Sequence, residues 1–249
     1  MTDVELAALT LAPALALGSF LNVVISRVPL RRSIIRPGSA CAACGHELSW
    51  HENVPLVSYA AQRGRCRHCG ATIPVHHPIV EAATALLVAA ASVKFGFSWD
   101  FAVAALFVAA LVTVSATDIE RRIIPNRVVL PAAAAVLAAN TLLHPSVEWA
   151  LAGVGAAAFL LAAAVAKPGG MGMGDVKLAG LLGFMLGRDV TVALMAGFVA
   201  ALLPSIVLFA RHGSKARKMT IPLGPFLALG GVIALFAGRG VLHWYLGAM

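Results

Sequence analysis

The chain reads as eight long apolar runs with little polar sequence between them: residues 4 to 26, 77 to 97, 100 to 118, 128 to 145, 147 to 166, 176 to 187, 189 to 210 and 223 to 246. A run of about 20 apolar residues is long enough to cross a bilayer as a helix. The pattern therefore predicts an all-α polytopic membrane protein of about eight transmembrane helices, with the run at 176 to 187 the shortest member of the count. The first run has no basic segment before it and no small-residue cleavage motif after it, so it is expected to stay as a span rather than be removed as a signal peptide. Residues 27 to 76 form one polar insert, which divides the chain into a first transmembrane helix (1 to 26), the insert (27 to 76) and a transmembrane core (77 to 249).

Composition agrees with this pattern. Hydrophobic residues make up 60% of the 249 and charged residues 12%, against roughly 45–50% and 25% in soluble domains. The charge is informative mainly through its placement. Of the 19 Lys and Arg, only Lys94, Arg188 and Arg239 fall on one side of an eight-span arrangement. The others lie in the insert, in the loop from Asp118 to Arg127, around Lys167 and Lys177, and in the loop 211 to 222. The positive-inside rule makes the richer side cytoplasmic, with both termini outside. Basic loops facing anionic lipid account for the net charge of +8, and no nucleic acid is needed to explain it.

The insert contains all four cysteines, as two C-x2-C pairs, Cys41 with Cys44 and Cys66 with Cys69, with 21 residues between the pairs. Paired knuckles of this kind fit a tetrahedral thiolate site for zinc. The alternative is two disulfides, which rarely persist in the reducing compartment that the charge pattern assigns to the insert. Four thiolates fill the coordination shell, so the site is expected to be structural and closed, stapling a segment too short to build its own core. His46 and His68 flank the knuckles and read as solvated surface histidines.

Among the eleven acids, Asp3, Glu5, Asp100, Glu148 and Asp189 are expected at the outer interface, and Glu47 and Glu52 lie in the insert. Glu81, Asp118, Glu120 and Asp175 remain near cytoplasmic helix ends, where ionisable groups are costly and so mark function. Asp118 closes the third span. Asp175 follows "GGMGMG" and opens the sixth, on the same face. Its glycines, Gly170, Gly172 and Gly174, allow a tight turn and close approach of a neighbouring helix or substrate. Asp175 is open to a second reading as a helix N-cap after an ordinary Gly-rich linker. Two facing aspartates that share a proton can activate water and polarise a peptide carbonyl, and the chain has no G-x-S-x-G, H-E-x-x-H or P-loop to suggest other chemistry.

Four features in order resemble the type IV prepilin peptidases, the bacterial leader peptidases of pilin and type II secretion systems: "GSFLNVVISRVP" at 18 to 29; the cysteine insert with "ENVPLVSY" and "RGRCRHCG" running into "HPIVEAATALL"; Asp118 followed by Pro125 with six residues between; and "GMGMGDVKLAG", similar to the G-x-G-D signature of presenilin-type proteases. The resemblance implies that Asp118 and Asp175 are the catalytic pair, with Gly172, Gly174, Glu120 and Lys177 as supporting residues. It implies prepilin or pseudopilin substrates and a bacterial inner membrane location, with the active site at the cytoplasmic face. Relatives with the cysteine insert also N-methylate the new N-terminus using S-adenosylmethionine, although no G-x-G-x-x-G unit marks a donor site in this sequence. "VHHP", with His76 and His77, departs from the basic and aromatic residues of the family at that place.

Two other readings are distinguishable. A presenilin or preflagellin type protease would act on another substrate, and the cysteine insert argues against it. A non-enzymatic scaffold or transporter would carry internal repeats and acids near mid-membrane, whereas these acids sit at helix ends.

Overall fold

The computed structural model describes residues 2–167, 170–213 and 221–247. Lys215, Arg217 and Lys218, counted above among the basic loop residues, lie outside the described residues. Among the described residues the regular elements are helices, with no strand. Its helices are α1 (Asp3–Arg27), a short α2 (Val57–Ala61), α3 (His76–Phe95), α4 (Trp99–Arg121), α5 (Asn126–Leu143), α6 (Glu148–Ala166), α7 (Met173–Leu186), α8 (Val190–His212) and α9 (Gly224–Gly247). Seven helical segments are long and apolar enough to cross a membrane, and one of these, Met173–His212, is 40 residues long. At 1.5 Å per residue it would reach about 60 Å, twice the hydrocarbon thickness. A 3₁₀ turn at Gly187–Asp189, with Gly187 at φ +57°, breaks it into α7 and α8. The eight apolar runs of the sequence thus appear as eight helices, α7 being the short one at 14 residues, and the protein is a multi-pass membrane protein.

The chain divides into two compact units, Met1–Ala116 and Thr117–Met249. In the first, α1 packs along α3. Their approach is close because Gly18 has no side chain: a Cβ there would lie 2.7 Å from the Glu81 Cα. Buried polar contacts fix the register, with Thr10 Oγ1 and Ser92 Oγ 3.1 Å apart and Asn22 Nδ2 donating to the His77 carbonyl at 3.1 Å. Arg27 ends α1 and ties down the start of the insert by donating to the carbonyls of Ser33, Pro37 and Gly38.

The insert is built around two similar knuckles. In each, the first cysteine's N–H bonds to the carbonyl five residues on, Cys41 to His46 and Cys66 to Ala71, both at 2.9 Å. In each, a glycine in left-handed conformation follows the second cysteine, Gly45 at φ +72° and Gly70 at φ +71°, a backbone that favours glycine. One isolated antiparallel bridge closes each knuckle, Ala40 to Glu47 and Arg65 to Thr72.

The second unit is organised around α7, which packs on α5, α6, α8 and α9. Leu178, Ala179, Leu181 and Leu182 on this helix are fully buried. Gly183 permits close approach to α6, since a Cβ there would meet the Ala152 carbonyl oxygen at 2.5 Å. Buried Asn140 on α5 donates to the Phe184 carbonyl at 2.9 Å, and Glu148 at the start of α6 pairs with Arg188 just beyond α7 at 3.2 Å. That pair shows α6 and α7 to be antiparallel and marks the end of α7 away from Asp175. Asp189, expected at a solvated interface, is buried at 9% exposure, because α9 packs over it where Gly238 leaves room.

Candidate active site

Asp118 and Asp175 both belong to the second unit. Asp118 sits one turn before the end of α4 and is 6% exposed; Asp175 is 9% exposed. Helix α7 starts at Met173, earlier than the apolar run begins, with Gly172 as its N-cap. Asp175 is therefore in the first turn and not the cap itself. Its Oδ2 accepts a hydrogen bond from the Gly172 N–H at 3.3 Å, which meets one of the unpaired amides at a helix start. Its Oδ1 is buried with no hydrogen-bond partner. The Asp118 Oδ2 accepts a hydrogen bond from the Gly224 N–H, at the start of α9, at 3.0 Å. The two carboxylates lie within electrostatic reach of each other. The fold thus brings together two buried carboxylates from separate helices, each with one oxygen held by a backbone amide.

The supporting residues divide. Gly174 is needed where it stands, since a Cβ there would lie 2.7 Å from the Ile124 Cβ, in the link between α4 and α5. Gly172 supplies its amide to Asp175. Lys177 points elsewhere, donating to Asn126 Oδ1 at 2.9 Å and so tying α7 to the start of α5. Glu120 is exposed at the end of α4.

Gly224 is a site residue that the sequence reading missed. A Cβ at this position would lie 2.8 Å from Asp118 Oδ2, so the glycine both donates to the carboxylate and leaves space for it. "LGPF" carried a usable signal: a glycine followed by proline at the start of an apolar run is a helix start, and its amide is free of side-chain obstruction.

In the first unit, the Sγ atoms of Cys41, Cys44, Cys66 and Cys69 all lie within 4.8 Å of one another. Cys41 and Cys69 Sγ are 3.8 Å apart, far beyond a disulfide and close to the separation of about 3.8 Å that two thiolates take at 2.3 Å from one tetrahedral ion. The cysteines are free thiols, and the group can bind a metal ion. Backbone N–H groups of Cys44 and Ala43 hold the Cys41 thiol down at about 6, whereas Cys69, despite a backbone hydrogen bond from Ala71, is pushed up to about 11 by the neighbouring thiols, so the metal itself would have to draw the last protons from the cluster. His46 and His68 stack on each other with ring centroids 3.9 Å apart, and His46 Nε2 lies 3.6 Å from Glu52 Oε2, so the histidines frame the knuckles.

A multi-pass helical protein with a four-cysteine insert and two buried aspartates on separate helices is the class defined so far. The chain belongs to the type IV leader peptidase family. The model of that family matches residues 105–210, and the bacterial peptidase A24 N-terminal domain matches residues 13–95. A prepilin leader peptidase/N-methyltransferase of Bacillus subtilis is 36% identical over 240 residues, covering 93% of this chain and 94% of that protein. One of Pseudomonas aeruginosa is 35% identical over 269 residues, covering 95% and 92%. One of Myxococcus xanthus is 47% identical over 117 residues, covering 47% and 35%. No solved structure gives a significant match.

Proposed function

We propose that the chain cleaves the basic leader from type IV prepilins or type II secretion pseudopilins at the cytoplasmic face of the bacterial inner membrane, and then N-methylates the new N-terminus. The observation that carries the peptidase half is the pair of buried carboxylates, Asp118 and Asp175, each fixed by one backbone amide, in a member of this family. Two neighbouring carboxylates in a dry site cannot both ionise cheaply and share one proton. The ionised one draws a proton from water as the oxygen attacks the scissile carbonyl, and the protonated one donates to the developing oxyanion. Asp175 Oδ1, buried and unpartnered, is the oxygen we assign to the shared proton. Asp118, with an amide at the N-terminus of α9 on its carboxylate, is the one we assign to the ionised role.

The prepilin substrate joins a basic leader to an apolar helix, so its scissile bond falls at the membrane boundary when the helix is in the bilayer. An extended strand is required there, because a helical peptide occupies its own carbonyls. In the insert, Cys41, Cys44, Cys66 and Cys69 would hold zinc as a closed structural site. S-adenosylmethionine would supply the methyl group.

The test is incubation of the purified, reconstituted protein with a prepilin, with and without S-adenosylmethionine, followed by mass spectrometry of the product. Loss of the leader alone is expected without donor, and loss of the leader plus one added methyl group with it. An intact prepilin under both conditions sinks the reading.

A further inference from the structure

Glu81 stands near the start of α3 in the first unit and takes no part in the peptidase reading. It is 8% exposed, and Asn22, facing it from α1, is 7% exposed. The Glu81 Oε2 accepts from the Leu56 N–H at 2.8 Å and Oε1 from Asn22 Nδ2 at 3.4 Å, and the Ser19 side chain also bonds to the carboxylate. Leu56 is held with φ +59°, an unusual conformation for a branched residue, so the insert backbone bends against preference to present this amide. No cationic side chain pairs with Glu81 among the described residues.

Asn22 fixes its own orientation. Its Nδ2 serves two acceptors, the His77 carbonyl and Glu81, and reversing the amide would set its oxygen against both. Its Oδ1 is therefore the atom left over, buried without a partner. The result is a carboxylate without a cation beside an amide oxygen without a donor, both desolvated. Each is costly alone, and one ligand group relieves both: a cation that carries several N–H donors.

We propose that Glu81 and Asn22 form a binding site for a primary ammonium group. The inference rests on the methyltransferase half of the proposed function, since that reaction brings two such groups to the protein: the α-amine of the cleaved substrate and the α-amine on the amino-acid end of the sulfonium donor. The Glu81 carboxylate takes the charge, Asn22 Oδ1 accepts a second N–H, and the Leu56 amide positions the carboxylate from the insert. Disruption of the four-cysteine staple would then reach this site through Leu56.

The test is affinity of the full chain for two probe pairs: a short peptide of a mature pilin N-terminus with a free or an acetylated α-amine, and S-adenosylmethionine or its analogue lacking the amino group. A charge-assisted contact of this kind gives about 10- to 100-fold preference for the free amine in one pair. The pair that discriminates shows whether acceptor or donor fills the site. Glu81→Gln should abolish the preference: its oxygen still accepts from Leu56, while its NH₂ faces the Asn22 Nδ2 that donated to Oε1, so thermal unfolding is expected somewhat below that of the wild type and is recorded beside the affinities. Equal affinity for amine and blocked forms in both pairs overturns the proposal. So does a preference that survives Glu81→Gln. Methyl transfer is scored separately on the same wild-type sample: discrimination between amines without any transfer removes the methyltransferase reading and leaves the ammonium site standing.

Discussion

The Gly224 amide donates to Asp118 Oδ2 at 3.0 Å, and a methyl group added at the same glycine would sit 2.8 Å from that oxygen. One residue thus binds a carboxylate and makes room for it. Gly224→Ala should keep the N–H but push the carboxylate away, costing about 10- to 100-fold in cleavage, the scale expected when a catalytic group is displaced by about 1 Å. Prepilin cleavage in reconstituted vesicles would measure this, and a rate near that of the wild type would remove Gly224 from the site.

Asp118→Asn and Asp175→Asn should each lower cleavage by at least about 10²- to 10⁴-fold, the usual worth of general acid–base catalysis, while the protein still inserts. Because each carboxylate sets the protonation of the other, the double variant should be little worse than either single one. Additive losses would show that the two act independently.

Gly174→Ala should impair cleavage by forcing α7 from the link that contains Ile124. The nearest atom is the Ile124 Cβ, which alanine retains, so Ile124→Ala should not rescue it. Overpacking of this kind costs about 1–3 kcal/mol, which thermal unfolding would register together with activity. Rescue by the second substitution would mean that the clash lies in the side-chain tip.

One zinc per chain is expected from elemental analysis of protein purified under reducing conditions, with Cys66→Ser losing most of it. Zinc should also leave as pH falls, since binding needs thiolates and protons compete for them. Full occupancy in Cys66→Ser would exclude the four-cysteine site.

Lys177→Met should lower cleavage less than about tenfold, because the ammonium is engaged with Asn126 at the surface and exposed polar contacts contribute little. A loss as large as that of an aspartate variant would return Lys177 to the chemistry.

The helices were legible because their apolar runs are long, and the cysteine cluster because C-x2-C geometry is local. The start of α7 was less so: Met173 and Gly174 belong to a glycine-rich stretch, and only packing against Ile124 carries the helix back to Gly172. The Gly224 contact was hidden for a different reason. The "LGPF" stretch marks a helix start but not which carboxylate its amide meets, and that partner lies 106 residues away. Glu81 was marked by its depth alone, whereas the unpaired oxygen on Asn22 appears only when three segments meet. Asp189 was misplaced because a loop position says nothing about the helix that later covers it.

The 14 residues of α7 amount to about 21 Å of helix, against about 30 Å of hydrocarbon. Hydrophobic mismatch of this size deforms the surrounding lipid or leaves a recess in the bilayer surface. Since α7 packs on α5, α6, α8 and α9, a recess of that kind would be lined by protein and open to water rather than to lipid tails. A peptide bond can then be hydrolysed below the nominal membrane surface with its second reactant at hand. Activity measured across vesicles of increasing acyl-chain length should accordingly fall as the bilayer thickens.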